Sequence, residues 1–471
     1  MSDVTVNKIK AFLLDLYATY TIILEATFIK TITKHMTKKI IVNKFGGGIL
    51  KKELLPVIVK RIKEQVDKGY SPVIVVSAFP GITDTLIYPK KNYVEDLRIS
   101  HNKIMNDMGL GQEIIEKTQP QITEILNELK RTNITEATTA EEVLSLEDKI
   151  VSSGEKLSAT ILNAYFNNEN IKTIRLLAEE IPIMTDNNFR NANIRYSISE
   201  KNVKQKFSKL KLIPIISGFT GITEYGKTTT LGRGGTDTTA CFLGAALKAD
   251  KVILWKDVAG ILSADPKIIK KAKTIPYINY FEAEEAGKVI HDKAIQYVKM
   301  HKTPIEIASV MYPKLKTNIG DIKKMEKGAK IVSVKKDLNF IIVTDEKIKL
   351  NDLLIIISGI FKKHAIEMSL ISNTRYSVQI VADNINNQLE RAIREIKTKV
   401  EKVEMTNASM IFLVGWFDAK DVSNFNDLLV KQDSDLLISA FYYENCYRME
   451  AVIKTNDINK IVEAVYKKFI R

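Results

Sequence analysis

The chain has 471 residues, 45% of them apolar, and a formal net charge of +14, enough for about two to four domains with ordinary cores. The charge comes from lysines scattered beside Glu and Asp, with no aromatic–basic stripe, which argues against a nucleic-acid partner. Cys241 and Cys446 are the only cysteines, too few and too far apart for a disulfide framework or a zinc site, which favours a reducing, cytoplasmic setting.

Residues 11–29 are fairly apolar, yet Asp15 and Glu25 would burden a membrane span, and no small-residue cleavage site follows them. Residues 1–35, ahead of Met36, are expected to be a dispensable extension; an added helix packed on the body is the alternative. Ile40 to Phe45 reads as a strand ending on Gly46-Gly47-Gly48. Leu54 to Lys68 has helical spacing. Pro72 to Ser77 is a short continuous apolar run, the pattern of a buried parallel strand, and ends in a turn, Ala78 to Gly81. Strand–turn–helix then recurs, which predicts an α/β fold with ligand loops at the carboxyl ends of strands.

Residues 95–150 read as polar helices, and Ser152-Ser153-Gly154-Glu155 opens a helix over Lys156 to Asn167. Leu212 to Ser217 is a further buried strand. Thr238 to Ala249 reads as a helix entered through Gly232-Arg233-Gly234-Gly235-Thr236-Asp237, with Thr236 or Asp237 as its cap. Lys251 to Trp255 is a strand leading into Lys256-Asp257. Phe281 to His301 is helical, and Lys302 to Ser309 is a short strand. The first domain is expected over 36–313, and the polar, lysine-rich stretch 314–330 as a linker. Over 331–471, a β-α-β-β-α order occurs twice, dividing near 402, which suggests paired ferredoxin-like modules.

The motifs supply groups for phosphate chemistry. Lys44 ends a strand before a glycine loop, so its ammonium and the amides of Gly46 and Gly47 could face a phosphoryl group; a structural turn is equally compatible. The Gly-x-x-x-x-Gly-Lys order of a Walker loop is absent. Arg233 offers a planar fork for a carboxylate or phosphate. Ser77 and Thr83 flank a strand–turn junction, where substrate binding and helix capping both fit. Glu155 stands at an expected helix start, where the dipole alone favours a carboxylate. No Ser/His/Asp set and no histidine pair at helical spacing occurs; His291 reads as packing or capping. A carboxylate acceptor would need no general base, because it is already ionised at neutral pH.

Taken in order, these residues resemble the aspartate kinase family within the amino-acid kinase fold. The resemblance rests on Lys44-Phe45-Gly46-Gly47, Val75 to Ala78 with Gly81-Ile82-Thr83, Ser153-Gly154-Glu155, Thr229 to Asp237, Asp257 to Ile261 with Asp265-Pro266, and Gly287 to His291. It implies a three-layer αβα domain of the carbamate-kinase type, followed by tandem ferredoxin-like ACT domains. It implies phosphorylation of the L-aspartate side-chain carboxylate by ATP with Mg2+, giving 4-phospho-L-aspartate, the step that opens lysine, threonine and methionine synthesis. Lys44, Gly46 and Gly47 would hold the transferring phosphoryl, and Asp237 would organise the lysine. Ser77, Thr83, Glu155 and Arg233 would bind substrate. Lys44, Gly47, Lys256, Asp257, Leu262, Asp265, Pro266, Lys267 and Lys288 would line the ATP site. Asn351, Asp352, Ser372 and Ser377 are the implied effector residues, with lysine or threonine as effector. A homodimer or tetramer through the ACT domains, in the cytoplasm and without nucleic acid or membrane, is implied as well. No metal ligand is assigned. The alternatives are a kinase of the glutamate type and a non-catalytic amino-acid sensor.

Three segments depart from the family pattern. Gly48-Ile49 stands where Thr-Ser or Ala-Ser is usual, so a hydroxyl is missing. Lys256 and Leu262 stand for a common Thr or Ser and a common Tyr. Lys349 to Leu354 lacks the usual Gly-Phe turn.

Overall fold

The computed structural model describes residues 39–286, 290–321, 326–364, 366–383, 388–432, 435–438, 446–455 and 457–470. The expected extension, 1–35, and Lys288 lie outside them.

The first part of the chain alternates strands with helices. β1 (Lys39–Phe45) is followed by α1 (Leu55–Asp67), with a proline in its first turn, where a missing N–H costs nothing. β2 (Tyr70–Val76), α2 (Ile82–Ile87), α3 (Tyr93–Asp107) and α4 (Gln112–Arg131) follow. α5 (Ala140–Asn168) starts on a capping box made by Thr139 and Glu142, which satisfies two otherwise orphaned backbone donors. Then come β3 (Thr173–Leu176), α6 (Tyr196–Phe207), β4 (Ile213–Ser217), the hairpin of β5 (Thr220–Ile222) and β6 (Thr228–Thr230), and α7 (Gly235–Ala246). β7 (Lys251–Lys256), β8 (Tyr277–Asn279), α8 (Tyr280–Ala286), α9 (Asp292–Met300), β9 (Ile305–Ser309) and β10 (Lys316–Gly320) complete this part.

Eight of these strands form one sheet in the order β3-β4-β2-β1-β7-β9-β10-β8. All pairings from β3 to β9 are parallel, and β10 runs antiparallel to β9. Alternate residues serve opposite faces. Val42, Val75, Val252 and Leu254 pack in one core with α7 and α9, while Ile41, Phe45, Ile74, Val76 and Trp255 pack in another with α1, α4 and α5. Each such fully buried side chain contributes about 1.5–3 kcal/mol. The result is the expected three-layer αβα arrangement.

Three expectations change here. Phe281 to His301 is two helices, α8 and α9, and His291 caps the second by accepting from the Lys293 N–H. The stretch 314–330 is not simply a linker, because Lys316–Gly320 pairs with β9 and β8 in the sheet. Buried Thr317 and Ile319 alternate with exposed Asn318, a half-buried strand pattern hidden by the polar composition. α7 begins at Gly235, earlier than Thr238, and its cap is Gly234, with no side-chain capping bond.

The C-terminal part is one six-stranded antiparallel sheet. Its elements are β11 (Gly328–Thr344), α10 (Leu350–Lys363), β12 (Met368–Asn373), β13 (Ser377–Asp383), α11 (Gln388–Lys397), β14 (Lys402–Phe417), α12 (Ala419–Lys431), β15 (Asp435–Ile438), β16 (Cys446–Lys454) and α13 (Ile458–Phe469). The strand order is β12-β13-β11-β14-β16-β15. β11 and β14 are long and bulged, with a register shift between Lys335 and Leu338. Beyond the bulge, Ile341 and Val343 pack with α10 and α11; before it, Val332 and Val334 pack with α12 and α13. Two β-α-β-β-α-β units are therefore present, but they interleave instead of dividing at 402. The first half of β11 completes the second unit, because it pairs with Met410 to Trp416. Among the described residues no helix is long and apolar enough to cross a membrane.

Candidate active site

Parallel strands put the carboxyl ends of β1, β2, β4 and β7 along one edge of the sheet. The chain runs outward from β1 through β2 on one side and through β7 on the other, so a crevice opens between them, the place where open α/β sheets bind ligands. Lys44 and Gly46 leave β1 there, Ser77 leaves β2, and Lys256 ends β7. α7 points its amino end into the same crevice.

Lys44 and Asp237 make the centre. Lys44 Nζ lies 2.5 Å from Asp237 Oδ1, and Lys256 Nζ donates to Asp237 Oδ2 at 3.3 Å. Lys44 and Asp237 are buried, at 7% and 6% exposure. Burial pushes the Asp237 carboxyl up, but Lys44 and then Lys256 outweigh it and hold the group below its ordinary range. Asp237 therefore stays ionised, in the first turn of α7, where the helix dipole also favours a negative charge.

The glycine loop after β1 forms a single 3-10 turn, Gly47–Ile49. A Cβ on Gly47 would stand 2.7 Å from the Ala78 carbonyl oxygen, whereas one on Gly48 would meet nothing within 4 Å. Only Gly47 is therefore required by close backbone approach. The Gly232-to-Gly235 loop is seated on its neighbours: Gly232 and Gly234 have φ of +77° and +72°, and their missing Cβ atoms would clash with Asn191 and His291.

A cavity of about 960 Å³ extends from this centre. Lys44, Gly47, Ser77, Thr83, Glu155, Arg233 and Asp237 line it. Thus a single cavity gathers seven of the eight expected catalytic and substrate residues, and Gly46 flanks Lys44 at its edge. Ser77 Oγ donates to Thr236 Oγ1 at 3.0 Å, tying β2 to α7. Arg233 is exposed at the mouth. Glu155 is within α5, two turns beyond Asp148, and not at a helix start; dipole complementation therefore does not explain it. The Ala78 N–H donates to its Oε1 at 3.1 Å, and its buried Oε2 has no hydrogen-bond partner. Burial raises the Glu155 carboxyl to about 8.

Three residues around the cavity escaped the sequence reading. Asp148 accepts from the Arg190 N–H, the Thr230 N–H and the Thr230 hydroxyl, and so anchors the strand that leads into Gly232. Arg190 lines the cavity with φ of +64°, and its guanidinium pairs with Glu147. Ser158 accepts from the Phe79 N–H and steadies the turn after β2. The spacing of Asp148 and Glu155 by seven, which puts both on one helix face, was a readable signal; the other two depend on contacts between distant segments.

Of the expected nucleotide residues, Lys256 alone among Lys256, Asp257, Leu262, Asp265, Pro266 and Lys267 reaches the centre. The others lie on the loop beyond β7, outside the cavity wall. Leu262 bridges Thr274, and Asp265 Oδ1 accepts from the Lys267 N–H. Asn351 and Asp352 are in the first turn of α10, and Ser372 and Ser377 are on β12 and β13; no hydrogen bond joins the two pairs. Among the described residues no group of three or more His, Cys, Asp or Glu is placed to hold a metal ion.

Residues 39–309 match the model of the amino acid kinase family. The aspartokinase of Rickettsia prowazekii is 33% identical over 279 residues, 58% of this chain and 53% of that protein, so the match spans about half the relative's length. The aspartokinase of Rickettsia bellii is 30% identical over 318 residues, 66% of this chain and 68% of that protein. In fold, the chain resembles E. coli aspartokinase III in complex with aspartate and ADP, with a TM-score of 0.75 at 21% identity, covering 91% of this chain and 99% of that one. The same enzyme in complex with lysine and aspartate gives 0.74 at 21% identity, over 92% of this chain and 100% of that one. The chain belongs to the amino acid kinase family and, within it, to the aspartokinases.

Proposed function

We propose that the protein transfers the γ-phosphoryl group of MgATP to the side-chain carboxylate of L-aspartate, giving 4-phospho-L-aspartate and ADP. The observation that carries this reading is the buried Lys44–Asp237 pair, joined by the half-buried Lys256, on a cavity whose wall holds Glu155 and whose mouth holds Arg233. The cluster leaves positive charge where a phosphoryl group would pass. The wall offers a carboxyl that an incoming ammonium would ionise, and the mouth offers a cation, as an amino acid's ammonium and carboxylate require.

In this reading a substrate carboxylate oxygen attacks the γ-phosphorus. The new O–P bond forms as the bond to the ADP oxygen breaks, and no proton moves in that step. Catalysis then rests on position and charge. Lys44 and the amides of Gly46 and Gly47 hold the transferring group. Asp237 fixes both lysines so that neither has to reorient. Arg233 grips the α-carboxylate through its planar fork. The substrate ammonium supplies the partner that Glu155 Oε2 lacks, and Ser77 and Thr83 face the side-chain end. Magnesium arrives as part of the MgATP substrate, held chiefly by phosphate oxygens.

The loop from Lys256 to Lys267, with Lys288, carries the nucleotide. The two C-terminal units are ACT domains that pair between copies through exposed edge strands such as β12, where Leu370 is 50% exposed, giving a homodimer or tetramer. Lysine, present with E. coli aspartokinase III, is the first effector to assay, and threonine the second. A cytoplasmic location accords with the free, buried thiol of Cys241.

The test is ADP release with aspartate, glutamate and N-acetylglutamate in parallel, with and without lysine or threonine. Turnover with aspartate supports the reading. Turnover only with another acceptor, or with none, overturns it.

A further inference from the structure

The loop that follows β7 is built into the C-terminal part of the chain. Ser263 is 3% exposed and has every polar group engaged. Its N–H donates to the Lys273 carbonyl, its carbonyl accepts from the Val332 N–H of β11 at 2.9 Å, and its hydroxyl is 3.0 Å from the Tyr466 hydroxyl of α13. The Lys273 N–H donates to the same Ser263 hydroxyl at 3.0 Å. The next residue, Ala264, is buried among side chains of β11 and α13, as is Ile269. Asp265, whose backbone carbonyl and side chain shape the turn through Lys267, is thus one residue beyond an anchor that belongs to the C-terminal unit.

From this geometry we propose that Tyr466 is a positioning residue for the nucleotide loop, acting through the Ser263 hydroxyl, so that the seating of α13 sets how well MgATP binds. The inference rests on reading Lys256 to Lys267 as the nucleotide loop. The backbone bond from Val332 and the burial of Ala264 hold the loop's base. The hydroxyl pair is the one side-chain hydrogen bond described between this loop and α13, and a small shift of the helix would break it without exposing the core. The cavity read as the aspartate site is lined by none of residues 257–267, so aspartate affinity is expected to be independent of this link.

The experiment uses the full chain. Tyr466→Phe removes one hydroxyl and keeps the ring. It is expected to raise the KM for MgATP about fivefold, the ratio that one neutral hydrogen bond sustains, with the KM for aspartate unchanged and the melting temperature moved by under about 3 °C. ADP binding measured by calorimetry should weaken by the same factor. Ser263→Ala should raise the KM for MgATP by a like amount, and the double variant should add nothing to the larger single effect. An unchanged KM for MgATP in Tyr466→Phe, or equal rises for both substrates, overturns the proposal. Asp265→Ala with Lys267→Ala separates the two failures. If that pair leaves nucleotide affinity intact, the loop assignment itself falls; if it weakens affinity while Tyr466→Phe does not, the link alone falls.

Discussion

Lys44 and Asp237 form a buried ion pair at 2.5 Å, and a second ammonium, from Lys256, lies 3.3 Å from the other Asp237 oxygen. One carboxylate therefore orients two cations that come from the ends of adjacent strands, β1 and β7. Lys44→Ala is expected to lower kcat by about 10²–10³, the usual effect of removing a fixed group from a developing charge. Asp237→Ala should lower kcat similarly and also destabilise the fold by about 3 kcal/mol, because Lys44 would be left buried without its partner. Steady-state ADP release and urea unfolding of the two variants check both statements.

Glu155 gives a pH dependence with a definite sign. Its folded-state carboxyl is raised from 4.5 to about 8, so the folded protein holds a proton there that the unfolded chain has lost. Stability from this group is fully present below about pH 4.5 and is lost as pH rises toward 8. In the proposed role substrate binding runs the other way, since the ammonium of aspartate would pair with the ionised form. The apparent KM for aspartate should fall as pH rises from about 6 to 8, and Glu155→Gln should flatten that profile and lower kcat/KM by about tenfold or more. A KM profile that rises over this range would contradict the role.

The two neighbouring glycines after β1 should answer differently to the same change. Gly47→Ala places a methyl 2.7 Å from the Ala78 carbonyl and should cost about 1–3 kcal/mol, with loss of turnover. Gly48→Ala meets open space and should leave stability within about 1 kcal/mol, with a gain if anything, because the unfolded chain becomes less free. Thermal melts of both variants make the comparison.

Asp148 holds the approach to the Arg233 loop through Thr230 and Arg190. Asp148→Ala orphans the buried Thr230 N–H and should cost about 1–3 kcal/mol. If the anchor positions Arg233, the KM for aspartate should rise more than the KM for MgATP. Parallel rises would make Asp148 a purely structural residue.

The centre of the site was legible because its groups sit in short motifs at strand ends. Lys44, Glu155 and Asp237 each stand beside glycines or small residues, and parallel strands bring such segments together whatever the details of the loops. Arg190 and Ser158 were hidden because their partners, Glu147 and Phe79, lie 43 and 79 residues away. The cap of α7 was misplaced for a local reason. Thr236 offers a capping hydroxyl, but Gly234 reaches φ of +72° at little cost, which frees Thr236 to meet Ser77. The strand at Lys316 was obscured by its polar composition, although its lysine is taken up by the buried Glu306 carboxylate. The division at 402 failed because composition reports each unit's elements but not which strands are shared.

That sharing has a consequence for inheritance and engineering. Each of β11 and β14 contributes one half to either unit, so no single cut releases one unit whole. Removing Lys402 onward would strip the first unit of the β14 half that pairs with Leu338–Thr344 and leave the first half of β11 without its neighbour, and grafting a foreign unit would require two splices inside one sheet. The pair is therefore one cassette for any transfer between chains.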